Sequence, residues 1–174
     1  MTPRPRTETE EIIAHLQRAH RGDPWHGPSR AMILSDVTAQ VAAWEPGAGA
    51  HGIWGQVLHM RNWTREVEQR ALGMPRTPDG PVGGDWPDIP NTSDAAWRET
   101  LASLDAAHDQ LVAVIQKLPP ARLHEHVGAT ADDPGGTGVS VSTMLRSIAE
   151  HDIYHSGQVS LLKRLAREAL GLEQ

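Results

Sequence analysis

Two histidines, His151 and His155, stand four residues apart in Glu150-His151-Asp152-Ile153-Tyr154-His155-Ser156-Gly157-Gln158. On a helix, four residues advance about 40° beyond one turn, so both imidazoles leave the same face one turn apart. That is how a single helix offers two nitrogens to one metal ion. Spacing alone is weak, because ten histidines in 174 residues give roughly half such a pair by chance. The surrounding rhythm says more. Met144, Ile148, His151, His155, Gln158, Leu162, Leu165 and Ala169 recur three and four apart, which reads as one buried seam. Two histidines and a glutamine interrupting that seam need a common partner, since a buried polar group without one costs about 1–3 kcal/mol. A metal, a water cluster, a polar substrate cavity, or a metal-free hydrogen-bonded histidine pair would each serve.

A metal needs a third ligand from another element. Two histidines compete for that place. His59 lies at the edge of an apolar face beside Met60 and Trp63, and His108 lies at a core position of a different helix. Spacing leaves the choice open. His15, His20, His51, His124 and His126 fall at helix ends, in loops or on unclear faces, and most are expected in solvent. His26, in the turn Trp25-His26-Gly27, is a candidate for a site mouth.

Asp152 follows the first histidine where the zinc-protease motif His-Glu-x-x-His has its general base, but Asp is one methylene shorter and no third protease ligand is visible. Its plainer role is acceptor for a neighbouring histidine or tryptophan N–H, or surface charge. Glu66 is another carboxylate to consider as a base. No nucleophile elbow, phosphate-binding Gly-Lys-Ser/Thr loop or dinucleotide fingerprint occurs, and the glycine-rich run at 135–138 reads as a plain loop.

Composition narrows the classes. The net charge is −6, and no basic patch suggests nucleic acid. No apolar run suggests a membrane span or a secretory signal, so the expected location is cytoplasmic. Cysteine is absent, so a disulfide, a protein thiol nucleophile and thiolate metal ligands are excluded. Any thiol chemistry must use a thiol from outside. Six tryptophans and no phenylalanine make indole the main aromatic filler, with N–H groups that need partners.

The elements that must position these residues are helical. Thr7 and Glu10 predict a capping box for a helix to about His20, ended by Gly22-Asp23-Pro24. Short helices are expected at 29–35 and 38–44. His51–Leu72 carries Ile53, Val57, Met60, Trp63, Val67 and Ala71 on one face and stops at Gly73. Residues 74–91, rich in Pro, Gly and Asp, form a connection long enough to be a crossover, a lid or a site rim. A helix capped by Ser93 or Asp94 runs to Leu118 with Trp97, Leu101, Leu104, His108, Leu111 and Ile115 inward. After a loop over 121–139, Ser140 or Ser142 starts the last helix, which stops at Gly171. With no strand pattern, the chain is expected to be all-α: one helical-bundle domain over 1–174 with three or four long helices, extra short helices and long connections.

His-Asp-Ile-Tyr-His-Ser-Gly-Gln-Val at 151–159 resembles the last-helix signature of the DinB/YfiT-like metalloenzymes. Gly52-Ile53-Trp54-Gly55-Gln56-Val57-Leu58-His59-Met60 resembles that family's second-helix signature. Trp25-His26-Gly27-Pro28-Ser29 and Asp85-Trp86-Pro87 are similar to one branch of it. The resemblance implies a four-helix bundle with up-down-down-up helices, frequently a homodimer, and a divalent metal (Zn, Ni, Mn or Fe) held by His59, His151 and His155. Gln158, Asp152, His108, His26 and Trp63 are then candidates for the surrounding shell or pocket. It further implies a thiol-dependent enzyme, an S-transferase joining a low-molecular-weight thiol to a small electrophilic substrate. The alternatives are a metal-dependent hydrolase activating water, and a non-enzymatic stress-associated metal-binding bundle.

Overall fold

The computed structural model describes residues 4–128 and 136–172. The stretch 132–135 of the predicted glycine-rich loop lies outside them. The elements run in the order α1 (Glu8–Arg21), α2 (Arg30–Leu34), α3 (Ala39–Ala42), α4 (Ile53–Ala71), α5 (Asp94–Lys117), a 3₁₀ turn (Pro120–His124) and α6 (Val141–Ala169). Among the described residues the only β pairing is an isolated bridge between His126 and Ser140. The all-α reading therefore holds.

Local chemistry sets the helix ends. Thr7 and Glu10 close the expected capping box on α1. Ser93 and Ser140 cap α5 and α6, each accepting from a backbone N–H three residues on. The α4 helix ends at Gly73, whose φ of 89° suits glycine. There Arg122 donates from Nε to the Ala71 carbonyl at 3.0 Å and from Nη2 to that of Arg70 at 3.1 Å. Its charge complements the negative end of the helix.

The four long helices pack as a bundle. The α4 helix lies against α5 and α6, and α1 lies against the same two from the other side, with α2 wedged between α1 and α6. The apolar interior is divided in two. One cluster gathers Ile53, Trp54, Val57, Met60, Trp97, Leu104, Val159 and Leu162. The other gathers Ile12, Leu16, Val67, Leu111, Ile115, Leu145 and Ile148. Along α4, α5 and α6 the gap between these clusters holds the buried polar residues Asn62, Glu66, His108, Asp152 and His155, and His59 is buried just before it on α4. A polar layer thus crosses the middle of the bundle. Two buried tryptophans satisfy their N–H groups within the core: Trp97 donates to the Val37 carbonyl at 2.7 Å and Trp54 to Thr100 Oγ1 at 3.1 Å.

The seam of α6 departs from the expected one. Leu165 is 38% exposed and Ala169 is exposed, whereas Val159 and Ala166 are buried. A strict three-four repeat has period 3.5, and a straight helix drifts about 20° per heptad against it. Over the length of α6 the buried stripe walks off the predicted positions. For the same reason His151 and Gln158 are half-buried at the edge of the stripe.

Candidate metal centre

The α4 helix contributes His59 and α6 contributes His151 and His155, and the structure brings the three rings together. One ligand nitrogen from each lies within 4.8 Å of the others. His59 Nε2 is 3.0 Å from His151 Nε2, and His155 Nε2 is 3.1 Å from the same atom. Nitrogens bound tetrahedrally to a divalent ion at about 2.0–2.1 Å would sit roughly 3.3 Å apart. His59 and His155 are buried and the His151 side chain is 27% exposed, so approach from solvent is over His151.

What lies behind each ring decides its protonation. His59 Nδ1 donates to the Asp85 carbonyl at 2.9 Å, with Asp85 Oδ1 at 3.1 Å. His155 Nδ1 faces Gln56 Oε1 at 2.5 Å and Gln158 Oε1 at 3.0 Å. With the proton drawn to Nδ1 in both rings, their Nε2 lone pairs point inward at His151. Burial, and then the neighbouring histidines, push His155 down to about 4. Burial also lowers His59, with the Asp85 carbonyl opposing it. Both rings are therefore neutral at physiological pH, the form that binds metal. A proton on His151 Nε2 serves one of its two neighbours well, whereas a divalent cation satisfies all three lone pairs together. The donor set fits a metal.

The connection between α4 and α5 forms the rim of this centre. Trp86 lies flat between two imidazoles, 4.1 Å from His59 and 3.8 Å from His51. Trp63 Nε1 donates to Asp85 Oδ1 at 2.7 Å, and Asn62 Nδ2 donates to the Gly84 carbonyl at 2.7 Å. Two residues of α4 thus hold the loop that orients a third.

Other candidates lie elsewhere. His108 is buried but does not join the centre; its ring packs 4.0 Å from that of His20. His20, expected in solvent, is 3% exposed, because the chain after Gly22 folds α2 back over it. His20, His108 and Asp109 also come within 4.8 Å of one another. Arg30 Nη2 donates to His20 Nδ1 at 2.8 Å, so a cation already stands there and a metal is disfavoured. His26 is exposed and lines a separate small cavity with His15, Arg18, Trp25 and Ile153. Asp152 is no surface charge: it is buried and paired with Arg30 Nη1. Glu66 is fully buried and accepts from Arg70 Nε at 2.8 Å, Thr77 Oγ1 at 2.9 Å and the Thr77 N–H at 3.2 Å. Glu66 is therefore not free to act as a base, and the open oxygen of Asp152 lies on the Nδ1 side of His151 rather than among the three Nε2 atoms. A cavity of about 500 Å³ lies on the α5 side of α4, by Arg61, Arg65 and Ser103, and another of about 360 Å³ opens over His20 and His108. None of the three histidines lines either.

Gln56, Asp85, Trp86 and Arg30 were missed as site residues by the sequence reading. Gln56 stands three residues before His59, on the same helix face, and that spacing was a usable signal. Asp85 and Trp86 come from a connection with no periodic pattern, and Arg30 from a short helix whose spacing marks no ligand. A family model described as DinB superfamily matches residues 30–159, which takes in all three histidines. Neither a curated protein nor a solved structure matches the chain.

Proposed function

The chain belongs to the DinB superfamily, and on that premise we propose that it is a divalent-metal-dependent enzyme joining a low-molecular-weight thiol to a small electrophile. The observation that carries the metal reading is the convergence of three Nε2 atoms, two of them backed by acceptors at Nδ1. A divalent ion held by three neutral imidazoles keeps open positions and acidifies a thiol or water that reaches it. The chain itself holds His59 and His155 in the ligand tautomer and leaves one side accessible over the half-exposed His151. With no cysteine in the chain, the sulfur is the co-substrate's. In the net reaction a carbon–sulfur bond forms, the leaving group departs with its electron pair, and the thiol proton passes to solvent. The engagement of Glu66 and the place of Asp152 on the Nδ1 side of His151 support transfer over hydrolysis, because hydrolysis calls for a base beside the water. The position of His108, away from the centre, supports an open site over a closed, sequestering one.

Two measurements test the reading. Elemental analysis is expected to find one divalent metal per chain in the wild type and none in His59→Ala, His151→Ala or His155→Ala. Full metal content in any of the three would overturn the ligand set. Metal-loaded protein is expected to conjugate an activated aryl halide with at least one of a panel of small thiols. Turnover of an ester and amide panel instead, abolished by chelator, would replace transfer with hydrolysis.

A further inference from the structure

The three ligand histidines are not backed alike. His59 and His155 have close acceptors at Nδ1, whereas His151 Nδ1 is buried without a hydrogen-bond partner. Asp152 Oδ1 is also buried and also unpartnered. These two atoms lie 3.9 Å apart, beyond a direct hydrogen bond, so a small turn of the half-buried His151 ring is needed to close the pair. One is a ring nitrogen able to carry a proton and the other a carboxylate oxygen able to accept it. The carboxylate is fixed from behind, since Arg30 Nη1 donates to its other oxygen. Arg30 is 2% exposed and is held in turn on His20 Nδ1 at 2.8 Å. A buried line of polar groups thus runs from His151 through Asp152 and Arg30 to His20, linking α6, α2 and α1.

We propose that Asp152, anchored by Arg30, is the positioning residue for His151: its Oδ1 holds the ring proton on Nδ1 and so presents the Nε2 lone pair to the metal. This rests on the metal reading above. A proton on Nε2 instead would leave a bare Nδ1 facing a carboxylate, two acceptors opposed in a buried setting. The pair differs from an ordinary buried ion pair in having one carboxylate oxygen turned to a ligand ring. A carboxylate behind a metal-bound histidine fixes its tautomer and raises its basicity, and losing one weakens metal binding ten- to a hundred-fold.

Removing Asp152 alone strands a buried guanidinium, so the test uses double variants that remove both charges. Arg30→Met/Asp152→Asn keeps an acceptor oxygen at the position, and Arg30→Met/Asp152→Leu removes it at similar volume. Zn²⁺ affinity is read by competition with a chelating dye, beside the thermal melting of the metal-free proteins. The Asn variant is expected to bind Zn²⁺ ten- to a hundred-fold more tightly than the Leu variant while the two melt together. Equal affinities would overturn the positioning role and leave the metal centre standing. Failure of the wild type to bind Zn²⁺ would overturn both. The ring ¹⁵N shifts of His151 in Zn²⁺-loaded wild-type protein give a reading that needs no folded variant. They are expected to show a proton on Nδ1 and the metal on Nε2, and metal on Nδ1 would overturn the proposal.

Discussion

At the residue scale, the two amides on His155 are not equivalent. Gln56 is buried and nearer, whereas Gln158 is half-buried and 3.0 Å away. Gln56→Leu is therefore expected to weaken divalent-metal binding about ten-fold, measured by chelator competition, with Gln158→Leu costing less. His20 and His108 carry a different consequence. Burial, and then the charge of Arg30, push His20 down to about 2 and His108 down to about 4. For His108 the carboxylates of Asp152 and Asp109 oppose this. Both are neutral in the fold yet take up a proton in the unfolded chain below about pH 6.5. Between there and the folded values the unfolded state binds more protons. Stability is thus complete above about pH 6.5 and falls as pH drops, by about 1.4 kcal/mol per pH unit for each histidine. Urea titrations of chelator-treated protein between about pH 7 and 5 are expected to show this, and His108→Leu to remove one proton's share of the slope.

At the element scale, the connection after α4 belongs to the site as much as the helices do. It is tied down by Asn62 on the Gly84 carbonyl and Trp63 on Asp85. Gly83, with φ 94°, lets the loop approach so closely that an added Cβ would meet the Asn62 side chain at 3.0 Å. Asn62→Ala is expected to cost about 1–2 kcal/mol and to speed amide exchange across the loop, read by mass spectrometry, while exchange in α5 stays as it was. The helices were legible in the sequence because amphipathic periodicity and caps are local. Thr7 with Glu10, Ser93, Ser140 and Gly73 all mark ends that the structure keeps. His151 and His155 stood out because they broke an apolar rhythm. The loop did not, since Asp85 reaches His59 with a backbone carbonyl, a group that every residue carries. Arg30 and Asp152 are 122 residues apart, and nothing local in either segment names the other.

At the scale of the whole molecule, a polar layer across a bundle makes the fold sensitive to what fills it. A ligand that binds only the folded state at a hundred times its Kd stabilises by about 2.7 kcal/mol, or roughly 5–10 °C in Tm for a chain of this size. Chelation is expected to lower the melting temperature by that amount, and His155→Ala to melt alike with or without chelator. The outward face of α6 exposes Tyr154 at 64%, Leu161 at 51% and Leu165 at 38%, one stripe at helical spacing. We propose that this stripe is where the homodimer expected of the family forms. Light scattering is then expected to give two chains for the wild type and one for Leu161→Arg. The sandwich of Trp86 between His51 and His59 bears on time as well as on affinity. His59 cannot swing out of the cluster without unstacking an indole, so ion residence has a barrier of its own. Trp86→Ala is expected to quicken stripping by excess chelator in stopped flow by more than it weakens binding at equilibrium. A metal site built in this way would keep its ion through brief scarcity and exchange it slowly when supply changes.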